Sequence, residues 1–313
     1  MDQNPQTPYT TPDTTSNRGH GTASDPRPSR GRWWVVAVAV ALVAVPLLWA
    51  EVPAEIARWY LAAAAEAELD EAYGLALEKM DHAIGWNDRD PLLYAYRSAL
   101  RMTMKDLDGA VEDCNTALDI APTRSANFAL YQRALAYQRL GTHDLALKDI
   151  DQLVEMARQG TQPQVLSGDQ VFALDYPASL NLRAYARALA QQDVELGLKD
   201  IDEAFRRSGD DDNAAYLDTR GYLRYLAGDL SGALEDAERA VQMRDQVMVA
   251  LEGQEPVGDQ RVWSRQRRQL TEELAVLLQH RGLIHEALQH PEQAAEDLRR
   301  AEQYGYSPAD GIW

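Results

Sequence analysis

Three histidines near the carboxyl end, His280, His285 and His290, stand five residues apart, and they are the first residues whose spacing suggests chemistry. His285-Glu286 with His290 has the look of a zinc-protease signature, which needs its histidines four apart on one helix so that both reach the metal. Five residues of helix turn the second ring about 140° away from the first, and His280 extends the same spacing, so no metal site is expected. Asp210-Asp211-Asp212 after Gly209 lacks the alternating ligands and closing glutamate of a calcium loop and reads as a helix-capping turn. Cys114, the single cysteine, lies one turn after Ala110 on an apolar face. It is expected to be a small packing residue rather than a nucleophile, and it leaves no disulfide within the chain. No G-x-x-x-x-G-K-[ST], G-x-S-x-G or C-x-x-C is present. The expectation is a protein that is not an enzyme and carries no cofactor.

With 313 residues, 45% of them hydrophobic, the chain can bury a sizeable core, and three phenylalanines beside many alanines favour helix over sheet. The net charge of −18 argues against nucleic acid as a partner. The negative charge lies from Glu51 to Trp313, which holds 46 acidic and 27 basic residues. Such a surface is repelled by anionic lipid.

Residues 1–32 are rich in Thr, Ser, Pro, Asn and Gly, and without apolar periodicity they cannot offset their ordering entropy, so a disordered tail is expected. Trp33 to Ala50 has no charged residue, and 18 residues of helix span about 27 Å, close to the hydrocarbon thickness. Trp33, Trp34 and Trp49 sit where interfacial aromatics belong, and Pro46 is tolerable near the end of a membrane helix. A cleaved signal peptide would have a shorter apolar region, a shorter leader and a better site than Val52-Pro53-Ala54. A single transmembrane helix over 33–50 is therefore the stronger reading. Arg27, Arg30 and Arg32 precede it and Glu51 and Glu55 follow, which keeps the amino terminus cytoplasmic and places the rest of the chain outside. A new helix is expected to start at Pro53 and run to about Leu69.

The elements beyond it repeat. Pro91 to Pro122 reads as a helical hairpin: Leu92 to Met104, a break at Lys105-Asp106, Leu107 to Ile120, then a proline that cannot continue a helix. Two such amphipathic helices cannot close a core alone. Copies are found at Arg97-Ser98, Arg133-Ala134, Arg183-Ala184, Arg220-Gly221 and Arg281-Gly282. Thirteen residues after each arginine, fourteen in the third, comes Ala110, Ala146, Gly197, Ala233 or Ala294, small enough to let two helices approach. Three further on stands Asp113, Asp149, Asp200, Asp236 or Asp297. A weaker copy precedes these, with Ala76 and Ala83 in frame but Ala63 and Lys79 in place of Arg and Asp. Because arginine and aspartate recur together and vanish together, each pair is expected to bridge its hairpin: Arg97 with Asp113, Arg133 with Asp149, Arg183 with Asp200, Arg220 with Asp236, Arg281 with Asp297.

This pattern, from about Ala57 to Pro308, resembles the tetratricopeptide repeat family, whose unit of about 34 residues is a pair of antiparallel helices. With its apolar amino-terminal run, the chain resembles the membrane-anchored bacterial proteins of that family. The resemblance implies an all-α, right-handed solenoid of about six hairpins over residues 53–313, preceded by one transmembrane helix. Insertions are expected near 158–178, a loop packed back on the solenoid, and near 244–272, where long helices meet at Gly253 to Gly258. The resemblance also implies that the first helix of each repeat lines a concave groove for a protein or peptide. Phe128, Tyr131 and Leu135 in the third repeat and Tyr222 and Tyr225 in the fifth are the candidate binding residues. The family's carboxylate-clamp binders carry lysine and asparagine where this chain has Ala95, Ala99, Tyr131 and Leu135, so a chaperone-tail ligand is not expected. An extended apolar or basic segment suits the tyrosines and the acidic surround better. The competing readings are a structural spacer with no groove ligand, secreted or anchored, and an accessory subunit of an enzyme complex.

Overall fold

The structure, a computed structural model, describes residues 33–121, 126–161, 164–167, 170–253 and 259–306, with backbone alone at 33, 43–50, 126, 164–167 and 170–172. The helices are α1 (Trp33–Leu69), α2 (Tyr73–Trp86), α3 (Pro91–Thr103), α4 (Leu107–Ile120), α5 (Ala126–Arg139), α6 (His143–Arg158), α7 (Tyr176–Ala190), α8 (Val194–Ser208), α9 (Ala214–Ala227), α10 (Leu230–Glu252), α11 (Gln260–Ala287) and α12 (Pro291–Gln303). Between α6 and α7 lies an antiparallel pair of strands, β1 (Gln164–Ser167) and β2 (Gln170–Ala173), in the register Val165 with Phe172 and Leu166 with Val171.

The chain divides into two units, Met1–Ala50 and Glu51–Trp313. In the first, the side chains from Trp34 to Leu42 are exposed. Among the described residues no helix is long and apolar enough to cross a membrane. The expected disordered tail, residues 1–32, lies outside the described residues, as do the side chains at 43–50 that complete the uncharged run. No new helix starts at Pro53. Helical backbone runs from Trp33 to Leu69 through Pro46 and Pro53, each of which removes one backbone donor without ending it.

In the second unit the helices pair in sequence order. The α1 side chains Ala57, Ala64 and Ala67 share a cluster with Ala76, Met80, Ala83 and Ile84 of α2. Then α3 packs with α4, α5 with α6, α7 with α8, α9 with α10 and α11 with α12, and each hairpin packs on the next. A continuous cluster including Ile150, Leu180, Ile201, Leu217, Leu223 and Leu278 passes through the later hairpins. Burying these aliphatic chains contributes about 1.5–3 kcal/mol each. The small residues sit where helices touch: Ser98, Ala134, Ala184, Ala110, Ala146, Ala233 and Ala294 are all buried. At Gly221 a methyl group would stand 3.2 Å from the Ala233 carbonyl oxygen and 3.3 Å from the Asp236 Cβ, so α9 and α10 approach there by backbone.

The turn inside each hairpin has a feature that the hydrophobic pattern did not reveal. Eight residues after the arginine register, the backbone is left-handed in every repeat: Glu71 (φ 60°), Lys105 (64°), Gly141 (71°), Gln191 (51°), Gly228 (86°) and Gln289 (61°). Only two of the six are glycine, the residue that adopts this conformation without strain. The fourteen-residue spacing before Gly197 is absorbed in the same turn, where Asp193 is left-handed as well (φ 50°). The second helix is then capped by aspartate in α4 and α10, where Asp106 accepts from the Gly109 N–H and Asp229 from the Gly232 N–H, each at 3.1 Å.

The first insertion corrects the sequence expectation. Residues 158–178 hold the β1–β2 hairpin rather than an irregular loop, with β1 against α5 and Leu174 buried against Leu130 and Leu153. Short strands interrupted by glycines give too few alternating positions to register as strand. The second insertion has the expected form, α10 and α11 being long helices. The connecting residues 254–258, like Pro122 and Pro308, lie outside the described residues.

The arginines and aspartates meet as bidentate pairs. Arg97 donates to Asp113 at 2.9 and 2.6 Å, Arg133 to Asp149 at 2.7 and 2.8 Å, and Arg183 to Asp200 at 2.8 and 2.7 Å. Arg220 donates to Asp236 at 2.8 and 2.7 Å, and Arg281 to Asp297 at 2.7 and 2.6 Å. All five aspartates are buried. One turn further along the first helix a second cation joins three of them: Arg101 on Asp113 and Arg224 on Asp236 at 3.1 and 2.7 Å, and Arg187 on Asp200. The same register holds Tyr137 in α5, beneath the Arg133 guanidinium, and His285 in α11, 3.9 Å from Asp297. Three of the arginines also reach back to the preceding hairpin, where Arg97 meets Asp81 at 2.7 Å, Arg133 meets Asn115 at 2.7 Å and Arg183 meets Asp151 at 3.0 Å.

Candidate functional site

The first helices of successive hairpins lie side by side: α7 packs against α9 and α9 against α11, and Leu182 of α7 packs on the cluster that holds Leu130 of α5. Their shared face carries a cavity of about 380 Å³. Its wall is apolar at Leu135, Leu182, Val276 and Leu277, with Tyr131 at one side, and polar at Gln138, Asn181, Tyr185, Asp218, Arg244 and Glu273. Helical spacing explains the set. Tyr131, Leu135 and Gln138 fall at i, i+4 and i+7 of α5, and Asn181 and Tyr185 at i and i+4 of α7, so each pair stands on one face.

Several polar atoms here are buried and have no hydrogen-bond partner among the described residues: both amide atoms of Gln138, the Asn181 Oδ1 and the Tyr185 hydroxyl. Gln138 is only 5% exposed. Leaving such a group unpaired costs about 1–3 kcal/mol, so each invites a ligand or water. Burial, then the Asp218 carboxylate, pushes the Tyr185 hydroxyl well above its ordinary pKa, and burial also raises Tyr131. Both phenols are neutral donors. Arg244 is neutralised by Glu273 at 3.1 Å.

Behind the cavity is a residue that spacing had raised only as a metal ligand. His280, 1% exposed, places its Nδ1 2.8 Å from the Asp218 Oδ1 and stacks on Tyr222 with ring centres 4.2 Å apart. An aspartate in α9 and a histidine 62 positions later have no local signal to link them.

The candidate groove residues separate. Tyr131 and Leu135 line the cavity. Phe128 does not: it is buried against Ala95, beside Leu92 and Tyr96. Tyr222 is 7% exposed and sandwiched between His280 and Tyr225, whose ring centre is 5.9 Å away, while Tyr225 packs against the clusters on either side. Tyr222 and Phe128 thus pack inside the solenoid. Ring size and helical face alone do not tell a core tyrosine from a groove one.

The remaining motifs are resolved by position. α11 ends at Ala287 and His290 stands just before α12, at its N-cap position but without a side-chain capping bond, so the helical rotation between His285 and His290 does not apply, and their Nδ1 atoms lie 3.3 Å apart. Among the described residues no group of three or more His, Cys, Asp or Glu side chains is placed to hold a metal ion. Asp210 accepts from the Asp212 N–H at 3.1 Å, a turn closed on itself, and Asp212 pairs with Arg239. Cys114 is fully buried and donates to Ser98 at 3.2 Å, and burial pushes its thiol up to about 12, which removes it from thiolate chemistry.

A second cluster joins the two ends of the unit. Arg261 donates to Glu66 at 2.6 Å and to Asp70 at 2.9 Å, Arg265 to Glu68 at 2.8 Å, and Arg268 pairs with Glu71. These contacts connect the first three turns of α11 to the carboxyl-terminal end of α1 and the turn that follows it.

Residues 129–159 match the family model described as tetratricopeptide repeat. No curated protein matches the chain. Among solved structures, PilW, described as a widely conserved type IV pilus biogenesis factor, is similar with a TM-score of 0.55 at 15% identity, covering 81% of this chain and 96% of its own. Pseudomonas aeruginosa PilF gives 0.51 at 10% identity over 82% and 96%. A tetratricopeptide repeat protein from Parabacteroides merdae ATCC 43184 gives 0.50 at 16% identity over 81% and 94%. At these identities the likeness is one of fold. The matched segment is α5 and α6, the hairpin that carries Arg133 and Asp149, and five more helical hairpins stack with it, four of them with the same arginine–aspartate pair: the chain is a protein of the tetratricopeptide repeat fold.

Proposed function

We propose that the protein is a membrane-anchored scaffold whose first-helix face holds a segment of a protein partner and which performs no catalysis of its own. The observation that carries this reading is the cavity between α5, α7, α9 and α11, with apolar walls and buried polar atoms left unpaired. A site with orienting groups but no nucleophile beside a base fits recognition rather than turnover. The spacer reading predicts a groove with nothing to satisfy, and four orphaned polar atoms at one place weigh against it.

Anchoring rests on the uncharged sequence from Trp33 to Ala50 and the arginines at 27, 30 and 32, which together orient a single span with the amino terminus cytoplasmic and the repeats outside. Protease added to cells with the outer layers opened digests the repeats and leaves a protected fragment of about fifty residues; repeats protected with the cytoplasm overturn the topology. For the groove, crosslinking and pull-down of the full-length protein from its native membrane is compared with a Tyr131→Ala, Leu135→Ala double variant. The variant keeps its helicity and loses the captured partners. An unchanged capture profile from a folded double variant leaves the spacer in front.

A further inference from the structure

We infer that the cavity between α5, α7, α9 and α11 takes one basic side chain, arginine or lysine, of a partner peptide, with its head against Asp218 and its backbone held by Gln138 and Tyr185. This rests on the groove reading above and adds the chemistry of the ligand.

The orphaned atoms define what fits. Gln138 Oε1 and Asn181 Oδ1 are buried acceptors without a donor, and the Tyr185 oxygen accepts as readily as it donates. Asp218 also lines the cavity and spends one oxygen on His280, which leaves the other to accept. The other cavity charges cancel, because Arg244 is engaged by Glu273. An anionic head would meet the Asp218 carboxylate and leave the Gln138 Oε1 and Asn181 Oδ1 without a donor. A neutral apolar chain would fill the wall of Leu135, Leu182 and Leu277 and leave every orphan unpaired. A basic side chain satisfies both halves: its methylene stem lies along the aliphatic wall and its donor-only head meets the acceptors. Two donors remain, the Gln138 Nε2 and the Tyr185 hydroxyl, and the carbonyl oxygens flanking the basic residue answer them. The cavity, about 380 Å³, is too small for a folded surface and large enough for one long side chain with its peptide groups. The excess of carboxylates over residues 51–313 draws cations toward it.

The test uses blocked tripeptides, acetyl-Ala-Arg-Ala-amide, its lysine and norleucine counterparts, and its citrulline counterpart, which keeps the shape of arginine and removes the charge. Full-length, detergent-solubilised, methyl-labelled protein is titrated with each, following the methyl signals of Leu135, Leu182, Val276 and Leu277. The expected result is saturable shifts of these methyls with arginine or lysine, at least tenfold weaker with citrulline and norleucine. Gln138→Leu, which removes orphans without touching the His280 pair, weakens the basic peptides at least fivefold, and Asp218→Asn removes the preference for arginine over citrulline. Citrulline binding as well as arginine at these methyls overturns the inference and leaves the groove reading standing. Absence of shifts with every peptide overturns it too, and the pull-down with the Tyr131 and Leu135 variant then decides the groove reading separately.

Discussion

A buried aspartate with two guanidinium donors is stable only while both sides of the pair are present. Asp149, 2% exposed, takes both its bonds in the pair from Arg133, which is itself held above its ordinary pKa chiefly by that hydrogen bond. Asp149→Asn or Arg133→Gln strands the partner and is expected to cost about 3–5 kcal/mol, and the double variant less than the sum, with a coupling energy of about 1–3 kcal/mol. Chemical denaturation of the four proteins measures this, and independent losses of a few tenths each defeat the clamp. The α11 repeat has a histidine in place of a second arginine, and there pH acts. Burial first, with Arg281 and His290 adding to it against Asp297, lowers the His285 pKa. The unfolded chain therefore binds the proton more readily, so the stability that neutral His285 contributes is complete above about pH 6.5 and is lost as pH falls toward the lowered value. Melting temperature measured from pH 7.5 down to 5 should fall less steeply in His285→Gln than in the parent, and equal slopes remove His285 as the cause. The arginine and aspartate frame could be read from recurrence alone because both partners repeat at fixed positions. The links from Arg97 to Asp81 and Arg183 to Asp151 also use a fixed position, five residues after the small-residue register of the preceding hairpin, but they cross between hairpins, and recurrence within one hairpin does not say which neighbour packs where.

At the scale of helices and turns, the pattern of apolar and small residues located all six hairpins because an amphipathic helix writes its face every three to four residues. It was silent on the turns, where the information is in backbone sign rather than hydrophobicity. The left-handed position follows the arginine by eight residues, and Lys105 and Gln289 occupy it at a strain of roughly 1–2 kcal/mol. Lys105→Gly and Gln289→Gly are each expected to raise stability by up to about 1 kcal/mol, the entropy of the freer unfolded chain offsetting part of the gain. Gly141→Ala should cost about 1–2 kcal/mol at the equivalent site. Thermal unfolding of the three variants distinguishes this from a flexible turn, for which all three changes would be near zero. The cavity was half legible in the same way. Tyr131 and Leu135 share a helical stripe, but Gln138, Asn181 and Asp218 come from three helices whose juxtaposition depends on the tertiary stack, and Tyr222 was drawn into the core by His280.

At the scale of the whole second unit, open repeat arrays draw their stability from neighbours alone, and the arginines of α11 on the acids of α1 add a contact outside that rule. The pairs of Arg261 with Glu66 and Asp70 are largely exposed, so they act as a salt-sensitive network rather than as buried bridges. Raising ionic strength, or reversing Arg261 and Arg268 to glutamate, is expected to increase amide exchange at the end of α1 and the start of α11 while leaving the α5–α9 core protected. Uniform protection before and after would show the contact to be incidental. The same joint has a consequence in time. Glu66 and Arg261 are 195 residues apart, and at about 5–20 residues per second the ribosome needs roughly 10–40 seconds to deliver the second after the first. Throughout that interval the acidic end of α1 has no counter-charge from α11, although α2 and α3 can already fold against it, so the nascent chain passes through a stage with a finished first hairpin and an unclosed circuit. The two ends can meet only once α11 has been made, so their joint forms on a chain whose earlier hairpins are already available to fold.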